Sequence, residues 1–230
     1  MAPKLAGCRD PVECRRMTAK LLHPKIIAAI GVPPYGRDVR KMKQPLILAS
    51  SSPRRQELLH QAGISFEVHP ANILEVRAAD ESPLNYARRL AQEKALAVAK
   101  KFSGRFVLGA DTIVVTADQL LEKPSDAEDA ARMLRLLSGR GHEVTTAVSL
   151  ISPARTVDTR HCTTQVFFRE LLEKEIQEYA ASAEPLDKAG GYAIQGGAAQ
   201  WNVRLEGDYS NVVGLPLPLV GEMLRANGFT

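Results

Sequence analysis

Asp111 interrupts an apolar run, Phe106-Val107-Leu108-Gly109-Ala110-Asp111-Thr112-Ile113-Val114-Val115, whose two halves read as buried strand. An ionised carboxylate is costly there unless a cation meets it. The functional reading is a site; the plain one is an acid closing a turn between two strands. Three other placements favour the site. Ser50-Ser51-Ser52-Pro53-Arg54-Arg55 follows a short apolar run, Lys94 lies on the buried side of a helical repeat, and Glu122-Lys123-Pro124 ends a strand. Together they describe a pocket for a polyphosphate and a divalent metal.

The serines 50–52 stand at a helix N-terminus, where unpaired N–H groups and the helix dipole favour an anion. Arg54 and Arg55 then fall in the first turn, where cations disfavour the helix alone and a bound phosphate suits them; a solvated turn is the alternative. Lys94 lies four residues after Leu90 and four before Val98, on the helix's own apolar stripe, so it must snorkel out or meet an anion. Lys123 sits at a strand end, where a side chain can be aimed into a crevice or can simply decorate the surface. Glu75 is a second acid, after the strand pattern Ser65–His69; two carboxylates and a phosphate can share a magnesium ion. Asp187-Lys188-Ala189-Gly190-Gly191-Tyr192 supplies a turn with opposite charges. Gln195 offers an amide, donor and acceptor, equipped to read a base edge, beside Gly196-Gly197. Either segment could equally be a glycine-rich loop.

These residues need elements to hold them. Leu46–Ala49 reads as a buried strand, with Ser52 as N-cap of a helix that ends at Gly63. Ser82-Pro83 opens a second helix running to about Lys101. Phe106–Thr116 and Leu120-Leu121 predict a hairpin broken at Asp118. Ser125-Asp126-Ala127-Glu128 reads as a capping box for a helix burying Ala130, Leu134 and Leu137. Val144–Ile151 and Thr163–Phe168 predict strands, and Leu171–Ala180 and Pro216–Ala226 helices. Strands and helices interleave, so the class is α/β with a mixed sheet.

The chain has 230 residues, 45% hydrophobic and 24% charged, enough for a sizeable core. No apolar run approaches the ~20 residues that cross a bilayer, and no secretory h-region opens the sequence, which places the protein in the cytoplasm without a membrane partner. Cys8, Cys14 and Cys162 form no C-x-x-C pair, against both disulfides and structural zinc. The formal charge of +4 is concentrated at one end: residues 1–44 hold ten basic and three acidic residues, leaving 20 basic and 23 acidic in 45–230, a net −3. A general field for nucleic acid is therefore absent from the body of the chain. Residues 1–41 read as a basic extension, disordered or following an upstream start, with 42–230 as the folded domain; a targeting or nucleic-acid-binding arm is the competing reading. Neither G-x-x-x-x-G-K-[S/T] nor G-x-G-x-x-G occurs, and the histidines form no ligand cluster.

Seven segments in order resemble the Maf family of septum-formation proteins, which are nucleoside triphosphate pyrophosphatases. They are Leu-Ala-Ser-x-Ser-Pro-Arg-Arg at 48–55, Gly-Ala-Asp-Thr at 109–112, Glu-Lys-Pro at 122–124, Leu-Ser-Gly at 137–139, Asp-Lys-Ala-Gly at 187–190, Ile-Gln-Gly at 194–196 and Asn-Val-Val-Gly-Leu-Pro at 211–216. The resemblance implies cleavage of a nucleoside triphosphate between its α- and β-phosphates, with Mg²⁺ or Mn²⁺, as house-cleaning of the nucleotide pool. It gives Asp111 the water-activating role and a place at the metal, Glu75 the metal, and Ser50, Arg54, Arg55, Lys94 and Lys123 the triphosphate. Arg54, Thr112 and Gln195 match the branch acting on dTTP and UTP, with modified pyrimidine nucleotides as further substrates. The 7-methyl-GTP branch is the alternative, and a non-catalytic nucleotide-binding regulator of septum formation the rival from another class. The implied fold is an elongated two-lobed α/β structure with a central cleft, similar to inosine triphosphatases and often a homodimer.

Overall fold

Residues 44–117 and 119–229 are described by a computed structural model. The predicted extension 1–41, the start at Met42, Cys8, Cys14 and the break at Asp118 lie outside the described residues. Seven strands form one mixed sheet: β1 (Leu46–Leu48), β2 (Phe66–Val68), β3 (Val107–Thr116), β4 (Gln119–Leu121), β5 (Gly141–Ile151), β6 (Val157–Phe168) and β7 (Asn202–Glu206). Their order is β2-β1-β3-β5-β6-β7, with β4 also pairing β3. β1 runs parallel to β2 and β3, whereas the β3–β5, β5–β6 and β6–β7 pairs are antiparallel. The mixed α/β class expected from the interleaved patterns is the one observed.

The period-two alternation of β3 sorts its side chains between two layers. On one face Val107, Ile113 and the facing Ala147 of β5 pack under α2 (Pro83–Ala99), through Tyr86, Ala87, Leu90, Ala91, Ala95 and Val98. On the other, Leu108, Ala110 and Val114 join the larger core with α1 (Pro53–Gln61), α3 (Ala127–Leu137), α4 (Glu173–Ala180) and α6 (Leu217–Ala226). Asp111 and Thr112, being consecutive, therefore serve opposite layers.

Two short strands leave a gap at the edge of β3. β1 pairs Val107 and Leu108, β4 pairs Val114 to Thr116, and among the described residues no strand joins 109–113 on that side. Side chains from both faces can reach a ligand there. Gly109 brings α2 close, because a Cβ on it would lie 2.4 Å from the Ala91 carbonyl oxygen and 2.7 Å from the Ala95 nitrogen. Only a missing side chain permits that approach.

The helix signals hold with adjustments. Ser82 caps α2, accepting from the Asn85 N–H at 3.3 Å. Ser52 is the N-cap of α1 and Pro53 its first residue, but no side chain caps that end. The capping box placed on Ser125 is shifted by one: Asp126 is the N-cap, accepting from Asp129 N–H at 2.8 Å, and Asp129 returns a bond to the Ser125 N–H at 3.1 Å. Asp126 wins because an ionised oxygen accepts more strongly than a hydroxyl. The Thr163–Phe168 strand begins six residues earlier, at Val157, its polar first half paired to β5. β7, the short helix α5 (Tyr209–Val213) and three 3₁₀ turns between Pro185 and Trp201 have no periodic signal and were not expected. Beneath the last turns, His142, Phe168, Tyr192 and Trp201 stack edge to face. His142 Nε2 meets the Tyr192 hydroxyl at 2.7 Å, while its Nδ1 has no partner.

Candidate active site

A cleft of about 520 Å³ opens at the gap in the sheet, a size common for small-molecule sites. Ser50, Arg54, Arg55, Glu75, Lys94, Asp111, Thr112, Lys123 and Gln195 all line it. Every residue to which the sequence reading gave a site role is thus brought to one place.

Its centre is an ammonium between two acids. Lys94 Nζ lies 2.6 Å from Asp111 Oδ1 and 2.7 Å from Glu75 Oε1. Lys94 and Asp111 are buried, at 8% and 7% exposure, so neither is hydrated enough to stand alone. The lysine expected to snorkel or meet an anion meets two carboxylates. Burial pushes the Asp111 carboxyl above the ordinary aspartate range, although the Lys94 charge and hydrogen bond and the Arg55 charge pull the other way. Glu75 is less enclosed; burial raises it too, but the bond to Lys94 and the charges of Lys94, Lys123 and Arg55 together hold it below the usual range. Unequal environments thus push the two acids apart, the pattern that separates a proton acceptor from a permanent charge.

Glu75 reaches this centre from the loop between β2 and α2, with Leu74 and Val76 turned outward on either side, 83% and 59% exposed. Arg89 of α2 fastens that loop, donating to the Val76 carbonyl at 2.9 Å and, through two nitrogens, to Glu81 at 2.8 Å each. Lys123 is more open and stands 3.7 Å from Glu75 Oε2.

The two neighbouring arginines behave differently. Arg55 is anchored, its Nε donating to the Gly214 carbonyl at 2.8 Å, Nη1 to Ser50 Oγ at 3.1 Å and Nη2 to Thr112 Oγ1 at 3.1 Å. Desolvation lowers its pKa from the ordinary arginine value, and the nearby Asp111 opposes that. Arg54 makes no hydrogen bond or ion pair among the described residues, so its guanidinium is the freer to take a ligand. Ser50, buried, also accepts the Ser52 N–H at 3.2 Å. The uncapped α1 terminus, both arginines and Lys123 line the same cleft as the acids. Gln195 is exposed and lines the cleft, as do Asp187 and Lys188, which pair with each other.

Residues 45–227 match the family model for Maf-like proteins. The chain belongs to the Maf family. It is 53% identical over 184 residues to the dTTP/UTP pyrophosphatase of Koribacter versatilis (strain Ellin345), covering 80% of this chain and 94% of that one. A dTTP/UTP pyrophosphatase of Geobacter sp. (strain M21) is 50% identical over 184 residues, with 80% and 95% covered. Among solved structures, the Staphylococcus aureus Ham1 protein matches with a TM-score of 0.42 and 12% identity over 80% of this chain and 99% of that chain. The Maf match begins at 45, so residues 1–44 lie outside it.

This Maf protein can present oxygen ligands to a hard cation. Among the described residues no group of three or more His, Cys, Asp or Glu side chains converges as a metal cage. Two carboxylates do come together around Lys94, which takes one oxygen of each, Asp111 Oδ1 and Glu75 Oε1, and leaves the second oxygen of each. Mg²⁺ and Mn²⁺ fit such a pair, since magnesium is commonly held by one or two carboxylates together with substrate phosphates and water. The residues the sequence did not flag are Thr146, which contacts Thr112, and Gly214, whose carbonyl anchors Arg55. Gly214 lies in the Asn-Val-Val-Gly-Leu-Pro segment at 211–216, and Thr146 left no advance trace.

Proposed function

We infer that the protein is a nucleoside triphosphate pyrophosphatase that hydrolyses dTTP and UTP to the nucleoside monophosphate and pyrophosphate. The observation that carries the reading is the Asp111–Lys94–Glu75 cluster, buried at Asp111 and Lys94, in one cleft with Arg54, Arg55 and Lys123. Relatives that are about half identical over most of their length and act on dTTP and UTP support the substrate class.

In this reading Ser50, the α1 N-terminus, Arg54, Arg55 and Lys123 bind the phosphates and align the α–β bridge. The same cations offset the charge that grows on the departing pyrophosphate. Asp111 accepts the proton of the attacking water, its raised pKa bringing its basicity nearer to working pH. Lys94 holds Asp111 and Glu75 in register and limits their mutual repulsion. A divalent cation held by Glu75, Asp111 and the substrate would add Lewis-acid polarisation of the phosphate. Arg54, Thr112 and Gln195 sort the nucleotide, with modified pyrimidine triphosphates among the substrates.

Residues 42–230 form the catalytic unit in this proposal, acting on the cytoplasmic nucleotide pool as a homodimer. No helix among the described residues is long and apolar enough to cross a membrane. Pyrophosphate release with Mg²⁺ or Mn²⁺, across standard and modified pyrimidine triphosphates and 7-methyl-GTP, tests the assignment. dTTP and UTP should lead, and chelation by EDTA should stop turnover. Preference for 7-methyl-GTP would move the protein to the other branch. Nucleotide binding without hydrolysis, equal in wild type and Asp111→Ala, would make it a regulator.

A further inference from the structure

On the face of β3 opposite Lys94, four groups form one line of hydrogen bonds. Arg55 Nη2 donates to Thr112 Oγ1 at 3.1 Å, the Thr112 and Thr146 hydroxyls are 2.9 Å apart, and Thr146 Oγ1 donates to the Asn211 backbone oxygen at 2.9 Å. The pairing of β3 with β5 sets Thr112 directly opposite Thr146.

A hydroxyl has one hydrogen to give. Thr146 directs its own at the Asn211 carbonyl, so the hydrogen between the threonines belongs to Thr112. Every hydrogen in the line then points the same way, from Arg55 towards Asn211. Thr112 consequently shows the guanidinium a lone pair, and no hydrogen is left to repel it. Bonds ordered in this sense polarise and strengthen one another.

The far end of the line is fixed. Asn211 is wholly buried; its Oδ1 accepts from Thr146 N–H at 3.1 Å, and its Nδ2 donates to the Val144 carbonyl at 2.8 Å and Thr164 Oγ1 at 3.0 Å. Thr146 is itself at 0% exposure between Val144 and Val148, where valine has the same shape and would need no partner. Packing alone does not explain a hydroxyl there.

We propose that Thr146 is a positioning residue for pyrophosphate-group binding: it fixes the Thr112 hydroxyl as an acceptor and thereby holds the Arg55 guanidinium in the cleft. The identity of the ligand rests on the pyrophosphatase reading. The position of Arg55 does not.

Calorimetric titration of the full chain with inorganic pyrophosphate tests this without requiring turnover. Thr146→Val releases the Thr112 hydrogen, and the affinity should fall about ten-fold, the effect of one hydrogen bond to a charged group. Thr146→Ser keeps the hydroxyl and should bind within about two-fold of wild type. Thr112→Val breaks the same line, so the Thr112→Val/Thr146→Val protein should bind no more weakly than Thr112→Val alone. Wild-type affinity in Thr146→Val, equal weakness in Thr146→Ser, or fully additive losses would each overturn the proposal, as would wild type failing to bind pyrophosphate. Should Thr146→Val not fold, undiminished affinity in Thr112→Val overturns it alone. Hydrolysis of dTTP by the wild type, measured in parallel, reads the enzymatic assignment separately: binding without hydrolysis would sink that assignment and leave the titration series standing.

Discussion

The Lys94 ammonium donates to Asp111 Oδ1 at 2.6 Å from a helix position that is buried on its apolar side. A cation that deep is there for its partner, and the partner is an acid whose pKa burial has raised. The first prediction concerns that acid. Asp111→Asn should lower kcat by about 10²- to 10⁴-fold, the usual worth of a positioned base, while the circular-dichroism melt stays near that of wild type because Glu75 still holds Lys94. In the wild type kcat/KM should rise with pH through the elevated pKa of Asp111, and this rise should be missing in Asp111→Asn.

Removing the cation has the converse effect. Lys94→Met leaves buried Asp111 without its cation and beside a second acid, and should cost about 3–5 kcal/mol, read by urea unfolding at pH 8. Asp111 can escape by taking up a proton. The folded state then binds more protons than the unfolded state, so stability falls as pH rises, and the loss measured at pH 5.5 should be smaller than at pH 8. A pH-independent loss would show that packing, not charge, is what Lys94 supplies.

Gly109→Ala tests how α2 is set against β3. The new methyl would press into the Ala91 carbonyl and the Ala95 nitrogen, both main chain and unable to step aside. A stability loss of about 1–3 kcal/mol is expected, with a fall in kcat because the same helix carries Lys94.

Arg54 and Arg55 should separate kinetically. Arg54→Ala removes a guanidinium with no internal hydrogen bond, so KM for dTTP should rise about ten-fold with melting temperature unchanged. Arg55→Ala strips three internal bonds as well, and should lower both the melting temperature and kcat.

His142 sets part of the acid limb of stability. Burial lowers its pKa from 6.5 to about 4, so between those values the unfolded chain takes a proton that the folded chain refuses. Stability must therefore fall as pH drops through that window, by about 3 kcal/mol in all. His142→Gln cannot titrate, and its urea-unfolding free energy should lose correspondingly less between pH 7 and pH 4.5.

How much of this was legible beforehand follows from where the information resides. Asp111, Lys94 and the serine–arginine turn break a local pattern, an acid in a strand, a lysine on an apolar stripe, cations at a helix start, and each could be read from its neighbours alone. Thr146 breaks nothing: a threonine in Val144–Ile151 looks like any strand residue until β3 is placed opposite it. The first half of β6 was missed because its polar residues, among them Asp158, Arg160 and His161, carry no apolar alternation, and its strand character comes from pairing with β5. Arg54 and Arg55 looked equivalent because the carbonyl that distinguishes them lies 159 residues away.

That separation carries a cost in time. A growing polypeptide would hold Glu75, Asp111, Lys94 and Lys123 well before residue 214 is made, yet Arg55 could not be aimed until Gly214 arrives to receive it. Contacts so distant along the backbone form late. Competence to hydrolyse should therefore not precede residue 214, so that a nascent chain lacking it leaves the cell's triphosphates untouched.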